Sequence, residues 1–463
     1  MEVGTTGLTR NVRSFIDYFV FYDIRLSRFP FFSYIILAIW AAAVLAAAIG
    51  GLGWWADKIL LKYAALFILL GPLGVLAFKI LLADAPSRPR FEKNASVDQC
   101  MAKARPARQE ADFGFSSLFH SSDCSAPIVL SDRFNVDKLS DPNVDWKLVD
   151  CSSDGRYSET IKDLRSMRRE YVENGRQSFV RALRNGKALV NEKKVAFAGT
   201  FPNTGDCVKV FRTDYFTGIC SSDRRFDDVV VREGSATRVI SSGNSRFSLR
   251  TSEGHCRLPP VAGSSPPISL HLGIEVLAIS SDGVLLLPMQ SGKASYSRGM
   301  RAPSASGSVD WSDTSGAKTL KQMLLNAGRR ELAEEWGSGP YPQAPLLRSS
   351  LMPVGYFRNA ARNGKPQFVA IARLACAAAD LRPDPSEIYM PVSHVPGVKS
   401  HTSPVRRITT MRDLEISLAN ILSQPDPSVN SVPLVGAAYC LRSVVTARPK
   451  LVHDFLFSRH WDS

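Results

Sequence analysis

The sequence predicts a multidomain protein in which an N-terminal transmembrane α-helical hairpin precedes an α+β cytoplasmic region. The length of 463 residues exceeds what one hydrophobic core normally holds. Almost all long apolar segments lie before residue 84, and a strand–turn–strand–helix pattern begins near residue 273. The predicted divisions are a cytoplasmic leader at 1–30, two transmembrane helices within 31–83, a cytoplasmic middle region at 84–265 and a C-terminal domain at 266–463.

The two N-terminal apolar segments have the length that a membrane helix needs. Residues 31–50 carry no charge, and about 20 apolar residues cross a hydrocarbon core of about 30 Å. The helices are predicted at about 31–52 and 63–83, with Pro72 kinking the second and Lys79 near its end. A cleaved signal peptide is the competing interpretation. The long flank before residue 31 and the second apolar segment argue against it.

Basic residues predict the orientation of this hairpin. The positive-inside rule compares its flanks, which carry Arg10, Arg13, Arg25, Arg28, Arg88, Arg90 and Lys93, with its loop, which carries Lys58 and Lys62. We therefore expect a multi-pass protein of the inner membrane with both termini in the cytoplasm. Residues 12–26 are compatible with an amphipathic helix on the inner leaflet and equally with a disordered leader.

Charge and cysteine usage narrow the classes of ligand. The formal net charge of +14 favours anionic partners such as nucleotides, nucleic acid or an acidic leaflet, although basic membrane flanks supply part of it. The eight cysteines form no CxxC pair, which argues against a zinc site and for free thiols.

The middle region is harder to classify. A helix is predicted at 159–185, and its six arginines fit either an anion-binding face or a solvated face. Strands are predicted at 193–199 and 207–213, and a Pro-rich linker at 258–267. The sequence of this region contains no recognisable catalytic constellation.

The C-terminal pattern is the most informative. Residues 273–287 predict a hairpin, and a Gly/Ser-rich loop ends at Gly316. A helix with a leucine stripe is predicted over 317–337, with Gly337 at a C-cap that would need a left-handed residue. Further strands are predicted at 351–357 and 367–374, and a second helix at 411–422.

Three glutamates of the predicted helix are its main chemical feature. Glu331, Glu334 and Glu335 are three or four residues apart and therefore share one helical face. Crowded carboxylates suit Mg²⁺ or Mn²⁺, which prefer oxygen ligands. The alternative is an acidic helix end that is simply solvated.

The spacing from Gly316 through Gln322 and Arg330-Glu331-Leu332 to Glu334-Glu335 and Gly337 resembles the Nudix box. The resemblance implies a Nudix-like α/β/α sandwich that binds nucleoside diphosphate derivatives. It implies that the three glutamates are metal ligands, that Arg330 orients them, and that Gly316 and Gly337 shape the phosphate-binding loops. The family usually has Glu at Gln322 and an aliphatic residue at Ser338. Glutamine is no general base, so no catalytic residue is assigned, and a nucleotide sensor is favoured over an efficient hydrolase.

A Nudix-like domain joined to a two-helix hairpin is similar to the transmembrane–Nudix effectors of CBASS, bacterial anti-phage systems that signal with cyclic oligonucleotides. The resemblance implies a cyclic nucleotide second messenger as ligand, the lipid bilayer as target, a homo-oligomer on activation, and membrane disruption that kills or arrests the cell. No nucleic acid partner is expected. The alternatives are a membrane-tethered Mg-dependent Nudix hydrolase of a nucleoside diphosphate derivative and a membrane scaffold with a degenerate Nudix fold.

Overall fold

A computed structural model describes much of the chain beyond residue 89. The described residues are 90–92, 114–118, 128–153, 189–198, 201, 206–220, 228–241, 258, 270–291, 297, 299–337, 344–362, 364–385, 387–389, 407–423 and 429–458. They fall into two units. The first comprises residues 90–92, 189–191 and 228–241, and the second comprises all the others.

The described residues contain strands and helices in alternating groups. The strands are β1 (Arg90–Glu92), β2 (Ser116–Leu118), β3 (Ile128–Leu130), β4 (Lys147–Asp150), β5 (Lys193–Phe197), β6 (Cys207–Asp214), β7 (Asp228–Glu233), β8 (Ala236–Ser241), β9 (Gly273–Ile279), β10 (Met289–Gln290), β11 (Ala305–Ser308), β12 (Ser350–Asn359), β13 (Lys365–Arg373) and β14 (Ile388–Tyr389). The α-helices are α1 (Asp132–Phe134), α2 (Tyr215–Cys220), α3 (Leu320–Trp336), α4 (Ala344–Leu347), α5 (Met411–Leu422), α6 (Val432–Ala447) and α7 (Pro449–Phe457). A π-helix occupies Asn135–Leu139, and 3-10 helices occupy Trp311–Thr314, Ala360–Arg362 and Ala378–Asp380.

The first unit is a small antiparallel sheet with the strand order β1-β7-β8. The turn between β7 and β8 is accompanied by an ion pair in which Arg238 Nη2 lies 2.8 Å from Glu233 Oε1. Both side chains are exposed, so the pair contributes only about 0.2–1 kcal/mol to stability.

The second unit is organised around a six-stranded mixed sheet with the order β11-β9-β13-β12-β3-β2. Only β9 and β13 pair in parallel, and the other neighbours are antiparallel. Every residue of β9 is buried, as expected for a strand that is covered on both faces. Strands β2 and β3 come from the middle region of the chain, so this region extends the same sheet as the C-terminal strands.

Helices cover both faces of this sheet. On one face, α3 packs closely because Gly328 has no side chain, and a Cβ there would lie 2.5 Å from Leu351 Cδ2 and 3.4 Å from Val276 Cγ2. On the other face, α6 approaches through Gly436, where a Cβ would lie 2.6 Å from the Phe357 ring. Helices α5, α6 and α7 complete the core on that face with Leu277, whose side chain points away from that of Val276.

A second sheet, with the order β4-β6-β5, lies against the loop that precedes α3. The N–H of Leu320 donates to the Trp146 carbonyl, and the N–H of Leu148 donates to the Lys318 carbonyl, both at 2.9 Å. On β5, the N–H of Val195 donates to the Val309 carbonyl at 3.0 Å. The loop of residues 309–320 is therefore held by backbone hydrogen bonds from the middle region.

Most of the strands and both helices predicted in the C-terminal part are confirmed. The second strand of the hairpin predicted at 273–287 is not formed, because Val284 and Leu285 make only isolated bridges. The predicted fold class is wrong. Strands β9, β12 and β13 and helices α3 and α5 lie where periodicity placed them. In the part of the chain that the structure describes, however, no helix is both long and apolar enough to span a membrane; α3, with 17 residues, has charges along its length. The described residues form mixed sheets with shorter helices, and no transmembrane hairpin is seen among them. Its predicted residues, 31–83, and the predicted helix at 159–185 lie outside the described residues.

Candidate functional site

Residues 316–337, the box segment, form the turn and helix that the sequence predicted. Gly316 has φ +72°, a left-handed conformation that favours glycine, and it redirects the chain toward α3. Thr319 caps the helix by accepting the N–H of Gln322 on its hydroxyl group at 3.3 Å. The amide oxygen of Gln322 accepts the Lys318 N–H at 2.7 Å, so this side chain is used in closing the first turn.

The C-terminal end of α3 differs from the expectation. Gly337 has φ −101°, which is not the left-handed conformation predicted for it. Its N–H donates to the Ala333 carbonyl at 3.0 Å, and it forms a parallel bridge with Arg382. The conformation at Gly337 is open to other residues, and the chain there continues toward a neighbouring segment instead of turning back.

Arg330 joins the loop to the helix. Its Nε donates to Asp313 Oδ1 at 3.0 Å, and its Nη2 donates to the Ser308 carbonyl at 3.0 Å. Its Nη1 lies 3.0 Å from both Glu331 Oε1 and Glu334 Oε2. A guanidinium group presents five donors in a fixed plane, and here they connect a strand, a 3-10 helix and two glutamates of α3.

Glu331 is buried between α3 and strand β11. A Cβ on Gly307 would overlap its carboxyl group, so the strand can approach only because this position is glycine. Burial raises the pKa of Glu331 to about 7, although the Arg330 charge opposes this shift. Glu331 therefore titrates close to neutral pH.

Glu335 is also buried, and it contacts the backbone of the same strand. Its Oε1 accepts the Ser306 N–H at 2.9 Å, while its Oε2 has no hydrogen-bond partner in the described part of the chain. Burial raises the pKa of this carboxyl well above its usual value. Glu334 differs from both, because its side chain is 56% exposed and contacts Arg330 from the solvent side.

Charged residues outside the box segment also belong to the cluster, and the sequence analysis assigned none of them; besides Asp310 and Asp313 they include Lys194 and Glu275. Lys194 on β5 is buried and forms ion pairs with Asp310 and Glu192. Burial would lower the pKa of Lys194, but the two carboxylates outweigh it and raise the pKa. Glu275 on β9 is buried, and desolvation raises its pKa to about 8 against the opposing charges of Lys365 and Arg362. A charged residue inside the apolar stretch 273–280 was the available signal for Glu275.

The carboxyl groups have the donor chemistry that Mg²⁺ or Mn²⁺ prefers, but they are not collected into one ligand set. Among the described residues, no group of three or more His, Cys, Asp or Glu side chains could hold a metal ion. Glu331 faces Gly307, Glu335 faces the Ser306 N–H, and Glu334 faces solvent. As arranged among the described residues, these three carboxyl groups do not converge on one position for an ion. Metal binding by Glu331, Glu334 and Glu335 remains a prediction.

Comparisons with known proteins give little further information. No protein-family model and no curated protein matches the chain. Among solved structures, the chain is similar to the crystal structure of DR0079 from Deinococcus radiodurans, with 18% identity over 40% of this chain and 94% of that chain. The TM-score is 0.24, which is too low to support an argument about fold or function.

Proposed function

We propose that the chain is an effector of a CBASS-type anti-phage system and that its second unit senses a cyclic nucleotide. The predicted output, disruption of the inner membrane, depends on residues 31–83, which lie outside the described residues. Ligand sensing is assigned to the second unit, and ligand binding changes the assembly of the chain.

The observation that carries the proposal is the way Arg330 joins the helix of the box segment to the loop before it. Its guanidinium group contacts Asp313, Glu331 and Glu334, so the loop and helix are held together by the chain itself. Gln322 replaces the carboxylate usual in the Nudix family, and its amide oxygen is engaged by the Lys318 N–H. A preformed loop–helix unit without this carboxylate is better suited to binding a nucleotide than to hydrolysing it.

Electrostatics also support an anionic ligand. Lys365 on β13 is nearly fully buried, and the formal net charge of the whole chain is +14, whereas the charge of Lys194 is already balanced by Asp310 and Glu192. Buried cations are stabilised by anions that reach them, and phosphates are suitable partners.

Equilibrium binding by the full-length protein tests the proposal. Cyclic di- and trinucleotides are titrated into the purified chain by calorimetry, with light scattering to follow assembly. We expect one or more of these ligands to bind and to increase the oligomer size. Arg330→Gln should weaken binding at least tenfold. Arg329→Gln is the matched control, because Arg329 contacts the Ser349 carbonyl instead of the glutamates, and it should bind normally. Absence of binding across the whole panel would overturn the proposal.

A hydrolase is the second candidate, and the exposure of Glu334 favours it, because one carboxylate of the box segment is open to a ligand. It predicts Mg²⁺-dependent release of product from nucleoside diphosphate derivatives, detected by chromatography, and loss of turnover in Glu334→Gln. Nucleotide binding without any product would support the sensor and exclude this candidate for the ligands tested.

A further inference from the structure

A polar surface lies on the face of the central sheet opposite α3, at the end where β9, β11 and β13 meet. Gln367 is paired with Gly273, and Gly273 is paired with Ser308. One row further along, Glu275 is paired with Ser306. Side chains of paired residues point to the same face of a sheet, so these positions form one surface across three strands. We call Glu275, Ser306, Ser308, Lys365 and Gln367 the polar row.

Gln367 crosses this surface toward β9. A Cβ on Gly273 would overlap the amide group of Gln367, which shows that the amide lies directly over the neighbouring strand. Gln367 is 2% exposed, and its Oε1 has no hydrogen-bond partner in the described part of the chain. Glycine at position 273 therefore makes room for an acceptor that the described chain does not satisfy.

Glu275 has the same property one row away. It is 1% exposed, and its Oε2 has no hydrogen-bond partner among the described residues. Lys365 stands at the edge of the row and donates from Nζ to Ser308 Oγ at 3.0 Å. The row thus combines two buried, unsatisfied acceptors with a buried cation.

Buried acceptors without partners are rare, because desolvation is not compensated by a hydrogen bond. Two of them lie on the same face of adjacent strands, and a bound molecule that carries N–H donors would satisfy both. A nearby lysine adds a preference for a negatively charged group on the same molecule. A nucleotide combines both features, since its base carries amino or imino donors and its phosphate is anionic.

We propose that Glu275 and Gln367 recognise the N–H donors of a nucleobase and that Lys365 contacts the adjoining phosphate. This inference rests on the proposed nucleotide-sensing function and adds its base preference. Cyclic nucleotides whose bases carry an exocyclic amino group should bind more tightly than those whose bases lack one. A site built to satisfy buried acceptors rejects a ligand without the donor strongly, because its acceptors then stay unpaired.

The test measures the affinity of the full-length protein for cyclic di-GMP and cyclic di-IMP, two probes that differ only in the exocyclic amino group. Cyclic di-AMP and cyclic di-UMP serve as further probes. Wild type should prefer one amino-bearing probe at least tenfold. Gln367→Met and Glu275→Met remove one acceptor each and should reduce this preference toward unity. Gln367→Asn is a milder variant that keeps the amide and withdraws it by one methylene group, and it should give an intermediate ratio.

Asn430→Leu is the matched control, because Asn430 is another buried amide with an unpartnered Oδ1 and lies before α6, outside the polar row. It should keep the wild-type preference. The preference ratio is used because a general loss of stability lowers all affinities together. Equal wild-type binding of all four probes, or variants with the wild-type ratio, would overturn this inference and leave the sensing function standing. Binding of no nucleotide would overturn both.

Discussion

The carboxyl group of Glu331 occupies the space in which a side chain on Gly307 would begin. Gly307 is paired with Ile274 in the central sheet, so its backbone cannot move away without breaking the ladder between β9 and β11. The glycine lets the carboxyl group reach Arg330 Nη1 at 3.0 Å. The position of Glu331 in the box segment therefore depends on Gly307, which lies nine residues before Gly316 and is not part of the spacing pattern that identified the segment.

Gly307→Ala should destabilise the protein by about 1–3 kcal/mol, because a buried overlap must be relieved by shifting Glu331 or the strand. Urea denaturation measures this change. Ser306→Ala, one residue earlier on the same strand, adds no atoms and should change the free energy of unfolding by less than about 0.5 kcal/mol. The double variant Gly307→Ala/Glu331→Asp should recover part of the loss, and additive losses would argue against the overlap.

Lys194→Met should destabilise the protein by about 1–3 kcal/mol, because the largely buried carboxyl group of Asp310 would lose its nearer cation and keep only Arg330, whose Nη1 lies 3.5 Å from Asp310 Oδ2. Lys194→Arg retains the positive charge and should recover much of this loss. Lys193→Met changes the exposed neighbour and should stay within about 0.5 kcal/mol of wild type. Chemical denaturation of the three variants measures these changes in the free energy of unfolding. Equal effects of Lys194→Met and Lys193→Met would contradict the prediction.

His271 should make stability fall as the pH drops below about 6.5, its pKa in the unfolded chain. Its Nε2 lies 3.0 Å from the Asp214 carbonyl oxygen, which can only accept, so Nε2 carries the proton of the neutral ring. Burial first, and then the charges of Lys365, Lys194 and Arg362, hold the pKa of His271 well below 6.5. In this window the unfolded chain binds a proton that the folded chain does not, so acid favours unfolding.

The expected contribution of His271 is a slope of about 0.7 kcal/mol per pH unit at pH 6.5, which approaches about 1.4 kcal/mol per pH unit roughly one pH unit lower. Urea denaturation between pH 5 and pH 8 measures it. His271→Gln keeps an N–H donor near the Asp214 carbonyl. It should lower the number of protons taken up on unfolding by nearly one, and the slope should fall accordingly. His453→Gln alters an exposed histidine and should leave the slope unchanged. A wild-type slope in His271→Gln would rule out this origin.

The sequence predicts best what depends on neighbouring positions. Apolar alternation and helical periodicity located β9, β12, β13, α3 and α5, and their offsets placed the three glutamates on one helix. The contact between Arg330 and Glu334 agrees with what the resemblance to the box implied. Contacts between distant segments have no such local pattern. Lys194 and Asp310 are 116 residues apart, and the pairing of β3 with β12 joins the middle region to the C-terminal sheet. The sequence therefore identified the box segment and missed most of the residues that surround it.

A buried side chain also links the middle region to the central sheet: Asn135 of the π-helix is fully buried. Its Oδ1 accepts the Tyr356 N–H at 2.8 Å, beside the register shift in β12 between Pro353 and Gly355. Its Nδ2 donates to Cys440 Sγ of α6 at 3.4 Å. One amide thus satisfies a backbone group at an irregular strand and contacts the helix that covers it.

Asn135→Ala should destabilise the protein by about 1–3 kcal/mol, because the Tyr356 N–H would lose the hydrogen bond to Asn135 Oδ1. Asn135→Asp keeps an acceptor for that N–H but introduces a charge with no cation among its hydrogen-bond partners. It should therefore be at least as destabilising as Asn135→Ala at neutral pH. The stability of this variant should rise relative to wild type as acid protonates the new carboxyl group. Asn143→Ala removes an exposed asparagine of the same region and should stay near wild type. Thermal unfolding at pH 5 and pH 7.5 measures these effects. A fully stable Asn135→Ala would mean that the strand irregularity is held by other contacts.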